Sequence, residues 1–278
     1  MSYKTLVTVF RNPKSDAAHL TAAVDLADRW GAHLDVLAIG IERLPPGANY
    51  SVSTSALVES ALSEAIEDAK AAKSAAEAIL SRSHVAWSVQ RMVGPVGVIA
   101  QDLGRSASLS DMVVLPKPYG PGRNAEDVCI VEAALFSTRT AVLVLPSSLE
   151  ALPPPKRIVI AWNQTAEALS AIRAALPYLQ GADLVSVAVV DPQTTSHSAD
   201  PGTQLAGYLD RQGVNVEVSI LARSLPRTSD VLARHMADVD ADLMVMGAYG
   251  HSRFRESILG GTTRNLLEET EVPLLMSH

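Results

Sequence analysis

Short apolar runs alternate along the chain with longer segments in which apolar residues recur every three or four positions. The run at 5–10 predicts a buried strand that ends at the turn signal Asn12-Pro13. A helix capped by Ser15 or Asp16 and stopped by Gly31 should follow. The first half predicts strands at 5–10, 34–41, 85–92, 112–115 and 141–145, with helices near 15–30, 55–81, 94–103 and 126–136. Strands and helices that alternate in this way form βαβ units, so we expect a parallel sheet.

The longest predicted helix, 55–81, is rich in alanine. We expect it to cover the sheet, although it could instead wall a separate cavity in the first half. Its apolar positions recur at three- and four-residue spacing and predict the packed face: Val58, Leu62, Ile66, Ala69, Ala76 and Leu80.

The second half of the chain repeats the pattern of the first. Residues 156–160 resemble 4–8, residues 181–184 resemble 31–34, and residues 241–245 resemble 110–114. A repeat of about 150 residues is too long for a solenoid unit and indicates two copies of one domain. The proline-rich stretch at 152–156 predicts a stiff spacer. We therefore expect domains at 1–148 and 156–278, joined by a linker at 149–155.

Composition and charge limit the classes of partner that we expect for this protein. The net charge is −7 and the sequence contains no arginine-rich run, which argues against nucleic acid as a partner. The single cysteine excludes an intrachain disulfide and suits a reducing compartment. The N-terminal residues lack a signal-peptide core, and no apolar run approaches the ~20 residues of a membrane span. We expect a cytoplasmic protein with no membrane partner and no metal site of its own.

A glycine-rich stretch near the C-terminus carries the candidate chemistry. The apolar run 243–246 stops at Gly247, Gly250 follows, and then Gly260-Gly261-Thr262-Thr263. After a strand in an α/β sheet, a glycine turn that leads to a helix presents unpaired N–H groups and the positive end of the helix dipole to anions. The alternative is that Gly247 and Gly250 form only a tight turn between strand and helix.

The spacing Gly247-x2-Gly250-x9-Gly260 resembles the nucleotide-binding signature of the universal stress protein family, G-x2-G-x9-G-(S/T). Gly261 departs from it, because a Ser or Thr is expected there. The resemblance implies an α/β fold with two tandem doubly wound parallel-sheet domains of five strands each, which are Rossmann-like and similar to adenine nucleotide alpha hydrolases. Single-domain members dimerise through the last strand. The two halves are therefore expected to form an intrachain pseudo-dimer, with a homodimer as a further option.

The same resemblance implies an adenine nucleotide site in the second half, for ATP, ADP or AMP, alone or as the Mg complex. Residues after the first strand of that half would face the adenine, Val189 would read its edge, Met246 would pack on the base, and the glycines and threonines would hold phosphates. Asn163 stands where most nucleotide-binding members have Asp, and it could instead cap the following helix. Exposed surface positions remain the alternative for His251 and Arg253. The implied site comprises Ala161, Trp162, Asn163, Val189, Met246, Gly247, Gly250, His251, Arg253, Gly260, Gly261, Thr262 and Thr263.

The first half lacks these features. Pro116 stands where Gly247 would be, and no Gly-Ser/Thr pair follows it. Proline removes an N–H donor, so we expect nucleotide to bind only in the second half.

No nucleophile–base–carboxylate set or P-loop motif is present in the sequence. We expect an ATP-binding sensor or regulator of the stress response with no enzymatic turnover, or at most slow ATP hydrolysis or autophosphorylation. Two alternatives stay open. One is an interaction scaffold of the stress response that binds no nucleotide and contacts protein partners that the sequence does not identify. The other is a binder of another small metabolite in the first half.

Overall fold

The computed structural model describes residues 2–43, 55–147, 149, 151–192, 202–249 and 261–278. Within these ranges, ten strands and eight helices alternate along the chain, with five strands in each half of the sequence. The chain divides into two compact units. The amino-terminal unit is built mainly from Tyr3–Thr140, and the carboxy-terminal unit from Leu152–His278 together with Ala141–Pro146. The predicted α/β fold with mostly parallel strands is confirmed.

The amino-terminal unit contains a parallel sheet in the order β3-β2-β1-β4. Its strands are β1 (Thr5–Phe10), β2 (His33–Ile41), β3 (Trp87–Gly94) and β4 (Met112–Pro116). Its helices are α1 (Ala17–Trp30), α2 (Ser55–Leu80), α3 (Val96–Ala107) and α4 (Ala125–Ser137). Gly31 ends α1 in the left-handed conformation, with φ of 57°, as its position in the sequence predicts.

The carboxy-terminal unit contains a sheet in the order β5-β10-β9-β6-β7-β8. Its strands are β5 (Ala141–Leu145), β6 (Arg157–Ala161), β7 (Leu184–Val190), β8 (Val216–Leu221), β9 (Leu243–Gly247) and β10 (Leu274–Ser277). Its helices are α5 (Ala166–Leu179), α6 (Thr203–Arg211), α7 (Thr228–Asp238) and α8 (Gly261–Glu269). These strands run parallel except β5, which pairs antiparallel with β10.

Matching hydrogen bonds show that the two halves repeat the same arrangement. The carboxylate of Asp111 accepts hydrogen bonds from two successive backbone N–H groups, those of Lys4 and Thr5, at 2.5 and 2.9 Å. The carboxylate of Asp242 does the same for residues 156 and 157, at 2.8 and 3.1 Å. Each aspartate precedes the strand that pairs with the first strand of its half. The sequence repeat therefore preserves these hydrogen bonds, which connect the starts of two neighbouring strands.

The packed face of α2 agrees with the predicted one at Ala69, Ala76 and Leu80 and differs at the other three predicted positions. Its fully buried positions are Ala61, Ala65, Ala69, Ala72, Ala76 and Leu80, whereas Leu62 is 41% exposed. Alanines allow the helix to lie unusually close to β2, because a Cβ added to Gly40 would overlap the carbonyl group of Ala65. Among the described residues, no helix combines the length and apolarity needed to cross a bilayer.

Candidate functional site

The order of strands in the carboxy-terminal unit reverses between β6 and β9. β7 and β8 lie on one side of β6, whereas β9 and β10 lie on the other. Open α/β sheets bind ligands in the crevice at the carboxyl ends of the strands at such a reversal. Met246 lies in register with Ala161 on one side and Met276 on the other. The structure therefore places the predicted residues Ala161 and Met246 side by side at this crevice.

Two of the predicted residues inside strands are buried. Val189 and Met246 are each only 4% exposed. Val189 lies in register with Ile220 of β8, one residue before β7 ends. Ala161 and Trp162 are half-buried, and the backbone N–H of Trp162 donates to Ala188 O at 3.0 Å. The floor of the crevice is consequently apolar.

Asn163 is exposed and supports the helix that follows it. Its Oδ1 accepts hydrogen bonds from the backbone N–H and the hydroxyl of Thr165, at 3.3 and 2.9 Å. Thr165 is the N-cap of α5, and its Oγ1 accepts from the N–H of Ala168 at 3.2 Å. The alternative that Asn163 itself caps the helix is therefore wrong, because Asn163 holds the capping residue in place.

Gly247 has a packing reason to be glycine. A Cβ at this position would lie 2.5 Å from the backbone nitrogen of Ala168, in the first turn of α5. Only glycine lets the end of β9 approach α5 this closely. The next residues are tied to β10, since Ala248 N–H donates to Ser277 O at 2.8 Å and His278 Nδ1 donates to Ala248 O at 3.0 Å. Sequence reasoning missed His278, although the parallel course of β9 and β10 places both carboxyl ends at one edge.

Helix α8 presents the predicted glycine and threonines in its first turn. Gly261 is exposed, Thr262 is half-buried and Thr263 is buried. A Cβ at Gly261 would meet no described atom within 4 Å, so packing within the described chain does not demand glycine here. The N–H groups of a helix's first turn have no partner within the helix and favour anions. Gly250, His251, Arg253 and Gly260 lie outside the described residues.

Asp191 is an acidic residue at the carboxyl end of a strand in this unit. Asp191 follows β7 with a left-handed φ of 47°, and its N–H donates to Leu221 O at 2.9 Å. Within the described ranges, no three histidine, cysteine or acidic side chains gather in an arrangement that could hold a metal ion.

The corresponding crevice of the amino-terminal unit lies between β1 and β4. Leu6 pairs with Met112 as Ile158 pairs with Leu243, so the two crevices share one register. By this register, Pro116 occupies the position of Gly247. Arg11 occupies the position of Asn163, so an arginine enters the first crevice where the second has an amide.

Arginine and carboxylate side chains fill the first crevice. Arg123 Nη1 lies 2.6 Å from Asp16 Oδ1 and 3.5 Å from Asp127 Oδ1, with all three side chains at most 6% exposed. Arg11 reaches both acidic residues at the start of α4, namely Glu126 at 2.9 Å and Asp127 at 3.2 Å. Asp16 occupies the N-cap position of α1, but its side chain makes no capping hydrogen bond, because these partners and the preceding loop engage it.

A buried histidine lies behind this cluster. The hydroxyl of Thr8 donates to Val114 O at 2.8 Å, so His19 Nε2, also at 2.8 Å, must be the donor to that hydroxyl. His19 Nδ1 is buried, with no hydrogen-bond partner among the described residues. Burial lowers the pKa of His19 to about 4, and the positive charge of Arg123 adds to this against the opposing effect of Asp16. His19 is therefore neutral at physiological pH.

Comparison with known protein sequences relates the second half of this chain to one family. Residues 155–278 match the sequence profile of the Universal stress protein family. A universal stress protein from Synechocystis is 36% identical over 67 residues, which cover 24% of this chain and 22% of that protein.

Solved structures extend the likeness to the fold of the whole chain. A universal stress protein from Archaeoglobus fulgidus is similar over 98% of this chain and 97% of its own, with a TM-score of 0.69 and 14% identity. A protein from Pseudomonas aeruginosa, provisionally assigned to the same family, covers 98% of this chain and 92% of its own, with a TM-score of 0.58 and 14% identity. At such low identity these structures show the fold, and the family assignment comes from the sequence profile. Residues 155–278 of this chain therefore belong to the universal stress protein family.

Proposed function

We propose that the carboxy-terminal unit binds an adenine nucleotide, with ATP as the first candidate, and acts as a sensor or regulator in a stress response. The observation that carries the proposal is the position of Ala161 and Met246 side by side at the strand reversal. Helix α8 links β9 to its parallel neighbour β10, so its first turn starts from the same edge of the sheet. An apolar floor and an anion-attracting helix start are the two features that a nucleotide requires.

Each part of the site has a distinct role in this proposal. Met246 and Ala161 form the surface against which the base packs. The N–H groups of Gly261 and Thr262, with the Thr262 hydroxyl, receive phosphate oxygens, and the dipole of α8 adds positive potential. Mg²⁺ enters only as the nucleotide complex. Occupancy would favour one conformation of the unit over another, which is the basis of a sensor.

A scaffold without nucleotide is the second candidate. Asn163 favours it, because Thr165 already engages the Oδ1 atom of Asn163 that would accept a hydrogen bond from a ligand. The glycine at 261 also lacks the hydroxyl that the family signature places there.

Substitutions at Gly261 test the proposal, because a Cβ at this position would meet no described atom within 4 Å. Isothermal titration of the full chain with ATP, ADP and AMP should show binding to the wild type. Gly261→Glu should weaken ATP at least about tenfold, since a carboxylate would face the phosphates. Gly261→Gln is the control of equal size without charge, and Gly261→Ser, which restores the family hydroxyl, should strengthen binding.

Denaturation of the freshly purified protein should also release an adenine nucleotide, which mass spectrometry would detect. A wild-type chain that releases none and shows no heat with any of the three nucleotides would favour the scaffold. Equal affinities of the Glu and Gln variants for ATP would remove the phosphate role of α8 while leaving the base site open to test at Met246.

A further inference from the structure

The carboxylate of Asp16 is held in the way that proteins hold a bound anion. Its Oδ2 accepts hydrogen bonds from the successive backbone N–H groups of Arg11 and Asn12, at 2.9 and 3.0 Å. Its Oδ1 accepts from Arg123 Nη1 at 2.6 Å and from Ser15 Oγ at 3.1 Å. Consecutive amides together with a guanidinium form a receptor for an oxyanion.

The receptor lies where an α/β sheet binds its ligand. Arg11 and Asn12 directly follow β1, and β1 and β4 are the strands between which the order of the sheet reverses. The donors are therefore at the carboxyl end of the first strand, the part of the crevice that faces an incoming ligand.

The ionisation of Asp16 is also that of a bound anion. Burial works against its ionised form, yet the hydrogen bonds from Asn12 and Arg11 and the charge of Arg123 outweigh burial and lower its pKa. Asp16 thus stays charged although only 3% of its side chain is exposed.

The rest of the crevice is neutral and full. Three arginines meet three carboxylates here, and Arg43 completes the set with a 2.7 Å contact to Glu126. The cavity that remains beside Arg11, Asp16 and Arg123 has a volume of about 10 Å³, which holds no more than one water molecule. The carboxy-terminal unit differs, since its first helix is capped by the uncharged Thr165.

We propose that the amino-terminal unit retains an oxyanion site and that the carboxylate of Asp16 is its resident ligand. The site selects carboxylate or phosphate oxygens, and the chain supplies one from its own α1. An outside anion is excluded for as long as Asp16 occupies the site. This inference concerns the amino-terminal unit and does not depend on nucleotide binding in the other unit.

Chemical rescue of Asp16→Ala in the full chain tests the proposal. The substitution empties the receptor, because it removes the acceptor of two backbone amides and the nearer carboxylate of Arg123, which keeps Asp127 at 3.5 Å. Thermal unfolding at neutral pH and constant ionic strength should show a lower midpoint than wild type in chloride. Acetate and phosphate should each restore it in a saturable manner, and acetate should titrate calorimetrically into this variant but not into wild type.

Three further variants make the result decisive. Asp16→Asn should be destabilised yet unresponsive to acetate, because its side chain still fills the receptor. Asp25→Ala, which removes an exposed ion pair with Arg29 on the same helix, should behave like wild type. Arg123→Gln added to Asp16→Ala should abolish the acetate response. Rescue by acetate in the Asn or Asp25 variant would indicate a general salt effect and overturn the proposal, as would an Asp16→Ala chain that no oxyanion restores. Nucleotide binding by the carboxy-terminal unit is measured separately, by titration of the wild-type chain with ATP, so the two proposals fail independently.

Discussion

Acidification should destabilise the amino-terminal unit through His19, because its imidazole is buried and neutral. The pKa of His19 is about 4 in the folded chain, against 6.5 for the free side chain. Between these two values the unfolded chain binds a proton that the folded chain excludes. Stability is therefore unaffected above pH 6.5 and falls as the pH drops from 6.5 towards 4.

The magnitude follows from the gap between the two pKa values. Each pKa unit corresponds to about 1.4 kcal/mol, so complete passage through the window removes about 3 kcal/mol of unfolding free energy. The buried position of His19 means that solvent screening does not reduce this figure. The lowered pKa of Asp16 acts at lower pH, below the ordinary value of 3.8, and so contributes little to the same window. His235 in α7 also has a pKa lowered by burial, but it belongs to the other unit.

Urea unfolding at several pH values between 7 and 4 measures the effect. In a Trp162→Phe background the remaining tryptophans, Trp30 and Trp87, both report on the amino-terminal unit. His19→Gln keeps a donor for the Thr8 hydroxyl and cannot titrate. Its unfolding free energy should stay nearly constant where that of the parent falls. Parallel pH curves for the two proteins would refute the reasoning.

Three further predictions concern packing, capping and the buried ion pairs, each measured by chemical denaturation. Gly247→Ala should lower the free energy of unfolding by about 1–3 kcal/mol, because its methyl group would overlap the first turn of α5. Gly261→Ala should be tolerated, and equal effects of the two substitutions would exclude the close approach as the cause. Thr165→Ala should cost about 1 kcal/mol and Thr165→Ser little, since serine retains the capping oxygen; an equal loss in both would mean that the hydroxyl does not cap α5. Arg123→Met should cost about 3–5 kcal/mol by leaving Asp16 buried and unpaired, and a loss below 1 kcal/mol would show that this cluster is dispensable.

The order of strands and helices was predictable because each element carries a local signal. The glycine after α1 and the apolar runs of β4 and β9 lie within or next to the elements that they specify. The packed face of α2 was harder to predict, because alanine occurs all around this helix. What selects the face is the close approach to Gly40, which belongs to another element.

The parts of the site that escaped prediction depend on partners distant in sequence. The local sequence predicted Asp16 as a helix cap, but its shortest hydrogen bond is to Arg123, which lies 107 residues away. Gly247 matched a ligand turn, and its contact with Ala168 is visible only when β9 and α5 are both in place. The pairing of Ala161 with Met246 could be anticipated in outline, since both end apolar runs that a βαβ repeat sets side by side.

The placement of β5 affects how this protein can be divided into fragments. β5 precedes the proline-rich stretch in sequence, yet it belongs to the carboxy-terminal unit and covers one edge of β10. A fragment that starts at residue 152 would leave the backbone of Leu274, Leu275 and Met276 without a neighbour on that side, and an uncovered apolar edge readily pairs with another chain. An autonomous carboxy-terminal fragment should therefore begin before Ala141, and shorter versions should be expected to exchange strands or aggregate on expression.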